Sequence, residues 1–263
     1  MLADFIIQRW RTIYKMQQIE LLFLFFTIAA VYASAGFGGG SSYLAVMALF
    51  GINMSTMKST ALLCNLVVVI GGTYILWKNG FLNFKKILPL SLASVPLAFL
   101  GGMIKLSEKS FFILLGISLI VAAILMFLQK NINNNSSETK NDSVALSTGI
   151  GGGIGFLSGM VGIGGGIFLS PVFNLLKWDT PKNIAATASF FILINSIAGL
   201  AGQMFQNKLS LDWKFALPLM LAVLIGGQLG SRFSALKFNQ DNVRLATAIL
   251  VLYAGVNVLW THI

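Results

Sequence analysis

Apolar runs of membrane-spanning length dominate this sequence, at about 59–77, 87–104, 110–128, 183–205, 213–233 and 242–261. A spanning helix needs roughly 17–25 residues. In hydrocarbon each backbone N–H and C=O has to be satisfied within the protein, so runs of this length fold as helices. Only 10% of the 263 residues are charged, against about 25% in a soluble domain. Such a chain lacks the polar surface to face water. The expected fold class is all-α: a polytopic helical membrane protein whose environment is the lipid bilayer.

Two glycine-rich breaks interrupt this apolar background. One reads Gly162-Ile163-Gly164-Gly165-Gly166 and is followed by Pro171; the other is Gly36-Phe37-Gly38-Gly39-Gly40. Each is followed by a short apolar segment, 41–52 or 167–176, and then by a polar connector, 53–58 or 177–182. The resemblance of the halves extends further. Leu88-Pro89 matches Leu217-Pro218, and Ser59-Thr60-Ala61 matches Ala186-Thr187-Ala188. Segments of like length in like order point to duplication. Residues 1–128 form the first repeat and 144–263 the second. The Asn- and Ser-rich tract 129–143 is too polar to span and reads as the loop between them.

The N-terminus imitates a secretory leader, with Arg9, Arg11 and Lys15 ahead of Leu21–Val31 and Ala33-Ser34-Ala35. The glycine break that follows, and its recurrence where no leader can stand, make 19–35 a retained membrane helix instead. Stretches 19–52 and 144–176 would each extend roughly 50 Å as one helix, while the hydrocarbon core is about 30 Å thick. Each is therefore expected to fold back on itself at its glycines. An odd number of crossings per half then follows, which inverts one repeat relative to the other. Lys and Arg are spread almost evenly over alternate connectors, so the positive-inside rule does not orient the chain.

The net charge of +10 lies in these short connectors and forms no stripe. Without aromatic residues interleaved with the bases, it does not describe a nucleic-acid surface. One cysteine, Cys64, and one histidine, His262, leave no disulfide or metal cluster to build. No cofactor is expected, and no nucleophile–base pair suggests an enzyme. All eight acidic residues lie in termini or connectors. Cation and proton pathways ordinarily carry intramembrane acids, so a small anion is the better-matched substrate.

Gly38, Gly39 and Gly40, like Gly164, Gly165 and Gly166, precede a short helix whose first N–H groups and dipole attract anions. Lacking side chains, they let a ligand approach the backbone closely. No Gly-Lys-Ser/Thr follows either break, so neither is a phosphate loop. Gly151, Gly155 and Gly159, four residues apart, read instead as a helix-packing ridge. Neutral polar residues inside the helices are the candidate partners: Thr60, Asn65, Thr187, Ser189, Asn195, Gln203 and Gln228. Asn65 and Asn195 fall one turn apart when the halves are aligned. Arg232, at a helix end, is expected to snorkel to the interface.

Gly159-Met160-Val161-Gly162-Ile163-Gly164-Gly165-Gly166, then Pro171 and Ala186-Thr187-Ala188-Ser189, resembles the signature of the TauE/SafE anion permeases. The resemblance covers nearly the whole chain. It implies a bacterial inner-membrane transporter, generally an exporter, of sulfite, sulfonates or related small anions. In the first half Ala45 replaces the proline and Leu62 the serine, so the second break is expected to carry more of the binding. An anion channel would show the same polar inventory. A membrane scaffold would have no use for two equivalent stretches of open backbone. Oligomeric state leaves no mark on the sequence.

Overall fold

The computed structural model describes residues 2–34, 37–130, 143–207, 209, 211–233 and 240–262. They form helices α1 (Leu2–Ser34), α2 (Gly40–Leu49), α3 (Met54–Lys78), α4 (Phe84–Met103) and α5 (Glu108–Lys130). The second half follows with α6 (Val144–Val161), α7 (Gly166–Leu175), α8 (Pro181–Phe205), α9 (Trp213–Phe233) and α10 (Gln240–His262). Among the described residues there is no strand, and the chain is a multi-pass helical membrane protein. Seven helices, α3 to α6 and α8 to α10, are long and apolar enough to cross a bilayer, while Gln18–Ser34, α2 and α7 are shorter apolar pieces.

Local chemistry sets the boundaries. Asn53 caps α3 by accepting from the Ser55 N–H at 2.9 Å, and Asn83 caps α4 from Lys85 N–H at 3.2 Å. Thr180 starts α8 with Pro181 in the first turn, where its missing N–H costs nothing. Gly162, at φ 87°, ends α6 in the left-handed region that glycine reaches without strain. The first helix is longer than the expected 19–35 and begins at Leu2, because nothing in 2–18 breaks a helix once the apolar part has nucleated it. Helix α5 extends through Lys130, two residues into the expected polar tract 129–143, of which 131–142 lie outside the described residues, as does Gly36.

Exchanging α1–α5 for α6–α10 maps the principal helix pairings onto themselves. The α4–α6 pair becomes α9–α1, α4–α8 becomes α9–α3, α2–α3 becomes α7–α8, and α2–α10 becomes α7–α5. Glycines make the closest of these approaches. A Cβ on Gly155 would come within 2.7 Å of the Ser94 carbonyl, and one on Gly159 would overlap that of Ala98, both across α4–α6. Across α1–α9, Gly226 and Gly230 are pressed in the same way against the Phe26 and Ala30 carbonyls. The ridge read from the sequence is a packing ridge.

Two contacts fix which ends of the bundle lie together. Lys86, opening α4, pairs at 3.3 Å with Asp179 in the α7–α8 connector. Ser59, in the second turn of α3, donates to Gln203 at the end of α8 at 2.9 Å. The 50–53 connector therefore sits at one end of the bundle, with the close of α4 and α8, and the 176–180 connector sits at the other. A cavity at the first end is lined by Gln18 of α1 together with Gly51, Asn53 and Asp212. Thus α1 and α2 form a hairpin dipping in from that end. Helix α6 runs parallel to α4, since Gly151, Gly155 and Gly159 follow Leu90, Ser94 and Ala98 in step. The α6–α7 hairpin accordingly dips in from the opposite end.

Candidate functional site

The tips of the two hairpins meet inside the bundle, and Asn65 of α3 stands between them. Its Nδ2 donates at 2.9 Å to the carbonyl of Ile163 in the second break. A Cβ added to Gly38 would lie 2.5 Å from Asn65 Oδ1, and one on Gly164 2.6 Å from Nδ2. A Cβ on Gly40 would overlap the same amide and reach 2.7 Å from the Ile163 carbonyl. Glycine is required at these positions because the two backbones close on one fully buried side chain. Asn65 lies about 16 Å along α3 from Met54, at 1.5 Å per residue, which is near the middle of a bilayer-thick bundle.

Gly39 and Gly165 have a different task. They cap α2 and α7 at φ 82° and 83°, a left-handed geometry that costs an L-residue with a side chain roughly 1–2 kcal/mol. Their missing side chains would meet aromatic rings, Tyr43 at 2.8 Å and Phe191 at 2.7 Å. These two glycines shape the turn, and a side chain on either would meet a ring instead of Asn65.

Helices α2 and α7 both begin at the junction and run outward to opposite ends. A helix N-terminus carries roughly half a positive charge and N–H groups with no intrahelical partner. The first N–H of α2 to bond back along the helix is that of Tyr43, to the Gly39 carbonyl; in α7 it is that of Phe168, to Gly165. Hydroxyls lie near both breaks. Ser41 and Ser42, opening α2, stand beside Tyr32, with Ser42 joined to Tyr32 OH, while Ser196 Oγ of α8 and Asn65 Oδ1 are buried with no hydrogen-bond partner. A Cβ on Gly164 would come 3.1 Å from Ser196 Oγ. An unpaired buried donor costs roughly 1–3 kcal/mol, and a concentration of them at facing helix starts suits an incoming acceptor.

The structure brings together only part of the expected set. Gly38, Gly40, Gly164 and Asn65 converge, and Gly166 lies beside them against Ile192. Thr60, Thr187 and Ser189 are buried on α3 and α8, but the atoms nearest the glycines belong to Asn65, Val69, Ile192 and Ser196. Asn195 turns away from the breaks: its Nδ2 donates to the Phe191 carbonyl at 2.8 Å and to Ser94 Oγ of α4 at 3.2 Å. Three neighbouring groups went unread in the sequence: the Ile163 carbonyl and Ser196 beside the second break, and Ser41 at the start of α2. Ser41-Ser42 was the available signal, since the second break continues with Ile167-Phe168 in its place.

Aligning α3 with α8 from their first residues, Met54 and Pro181, sets Asn65 opposite Ile192 and Val69 opposite Ser196. Each half thus supplies one polar group where the other supplies an apolar one. The junction is symmetric in its backbone and asymmetric in its chemistry.

Comparison with known proteins agrees with this architecture. The family described as "Sulfite exporter TauE/SafE" matches residues 21–258. The chain is 34% identical over 253 residues to "Probable membrane transporter protein y4hK" of Sinorhizobium fredii, covering 93% of this chain and 99% of that one. It is 24% identical over 256 residues to "Probable membrane transporter protein YjnA" of Bacillus subtilis, covering 92% and 99%. It is also 25% identical over 211 residues to "Probable membrane transporter protein YunE" of that organism, covering 73% and 77%. No solved structure gives a significant match.

Proposed function

Because the chain belongs to the sulfite exporter TauE/SafE family of membrane transporters, we propose that it is a secondary permease exporting a small sulfur-containing anion, sulfite or an organosulfonate, across the bacterial inner membrane. The observation that carries this reading is the meeting of two outward-running helix N-termini at Asn65, deep in the bundle. Glu20, midway along α1, is exposed, and the other acids among the described residues lie in connectors or a helix's outermost turns, so the potential at the junction is set by helix dipoles and hydroxyls. It favours an anion. The binding groups are the N–H groups opening α2 and α7, the hydroxyls of Ser41 and Ser196, and the Asn65 amide. Asn195 serves the contact between α8 and α4, and Thr60, Thr187 and Ser189 lie buried in the surrounding helices. Ser41 serves the first break on this reading and Ser196 the second.

The two halves act as inverted repeats, consistent with hairpins that dip in from opposite ends and with pairings preserved on exchange. Alternating access then amounts to one hairpin withdrawing from Asn65 while the other stays. The tightness of the junction favours such a carrier over a channel, since added methyl groups at Gly38, Gly40, Gly164 or Gly166 overlap their neighbours. The test is counterflow in proteoliposomes with labelled sulfite, sulfate, an organosulfonate and a carboxylate. Saturable exchange of a sulfur oxyanion supports the proposal. Uptake of cations or amines alone, or conductance in large unsaturable steps, refutes it.

A further inference from the structure

A cleft of about 250 Å³ opens at the end of the bundle that holds the 50–53 connector. Ser55 and Lys58 of α3, Gly102 of α4, Lys105 and Gln203 of α8 line it. Lys58 lies in the second turn of α3 with only 6% of its surface exposed. Its ammonium stands 5.8 Å from the centre of the Phe111 ring. A lysine so placed ordinarily snorkels its charge out to the interface; here it is kept inside the wall of a cleft. Ser59 fixes the neighbouring Gln203 amide by donating to its Oε1 at 2.9 Å. Gln203 Nε2 is left a buried donor without a partner, on a residue 2% exposed.

This cleft adjoins the second glycine break. A Cβ on Gly162, which opens the second glycine break, would lie 3.3 Å from Lys58 Cα. The next residue is Ile163, whose carbonyl Asn65 holds. Lys58 therefore separates solvent from the break by a single residue's width. The larger cavity at the same end, about 360 Å³, is lined by Asp212 and by no lysine. In the second half the position matching Lys58 is Ala185, so a lysine at this buried position occurs in one half alone.

Taking the anion-permease reading as its premise, we propose that this cleft is an anion-collecting vestibule. Lys58 and Gln203 receive a small oxyanion from solvent and pass it to the second glycine break. Lys105, exposed at the rim, raises the local anion concentration.

The test is counterflow of labelled sulfite in proteoliposomes bearing wild-type protein, Lys58→Met, Lys58→Arg or Lys105→Glu. Lys58→Met keeps the packed stem and removes the charge. It should raise KM about ten-fold, equivalent to about 1.4 kcal/mol, with Vmax near wild type, and Lys58→Arg should restore the low KM. Lys105→Glu, on an exposed side chain that leaves folding intact, should raise KM at low ionic strength and lose that effect in high salt. A wild-type KM in Lys58→Met, or equal damage from Met and Arg, overturns the vestibule and makes Lys58 a packing residue. Should Lys58→Met fail to reach the membrane, an unchanged low-salt KM in Lys105→Glu overturns it equally. Wild-type vesicles that exchange no sulfite refute the premise itself, a result distinct from exchange with unaltered KM.

Discussion

Gly38→Ala, alone and combined with Asn65→Ala, tests whether the first break closes on the α3 amide. Gly38 has no left-handed backbone to lose, so the effect of a methyl group there is steric. Its Cβ would lie 2.5 Å from Asn65 Oδ1, 3.2 Å from Asn65 Cγ and 3.1 Å from Val69 Cγ1. Asn65 is wholly buried and tied to the Ile163 carbonyl, so it cannot yield without breaking that bond. Overpacking of this kind costs about 1–3 kcal/mol. Asn65→Ala leaves the Ile163 carbonyl unpaired, at about 1–3 kcal/mol. In the double variant the small side chain at 65 makes room for the methyl group at 38. The pair should then cost less than the sum of the singles by about 1–2 kcal/mol, within the range of coupling between residues in contact. Denaturant-titrated unfolding in mixed micelles gives the cycle. Gly72→Ala, on α3 with open space around its Cβ, is the control and should be neutral or slightly stabilising through helix propensity. Additivity within about 0.5 kcal/mol, as found for independent sites, would refute the contact and the convergence of the breaks with it.

On the packing ridge, Gly155→Ala should destabilise by about 1–3 kcal/mol, because its Cβ meets the Ser94 backbone, which cannot rotate away. Gly153→Ala, two residues earlier with nothing near it, should not, and thermal unfolding in detergent separates the two. Gly165→Ala combines strain at φ 83° with contact at 2.7 Å against Phe191. It should therefore lower the yield of folded protein more than it alters anion affinity, as read by size exclusion and by binding on whatever folds. Cysteines placed singly in the 53–58 and 177–182 connectors, in a Cys64→Ser background, should react with an impermeant maleimide from opposite sides of the membrane. Labelling of both from one side would refute the inverted arrangement.

The sequence by itself determined everything that is local. Runs too apolar for water and too long for anything but a helix set the helices, and caps such as Asn53 and Thr180 set where they start. Two triple glycines in stretches too long to cross once implied two folded-back hairpins, and the family was legible in the residues around Gly162 and Thr187. Tertiary structure decided which side chains share a space. The Asn65–Ile163 bond joins residues 98 apart, and nothing in either neighbourhood announces the other. Asn65 and Asn195 look alike in sequence, yet one lies between the hairpin tips and the other bonds to Ser94, because they sit one turn out of register on helices that face the breaks alike. Thr60, Thr187 and Ser189 are buried on their helices, but none is among the atoms a side chain on the glycines would meet, while Ser196 was an ordinary serine until packing set it beside Gly164. A helix in lipid is apolar all round, so its sequence carries little amphipathic phase to say which face turns inward. Contacts between glycine backbones and neighbouring helices choose that face, and they exist only once the helices have met.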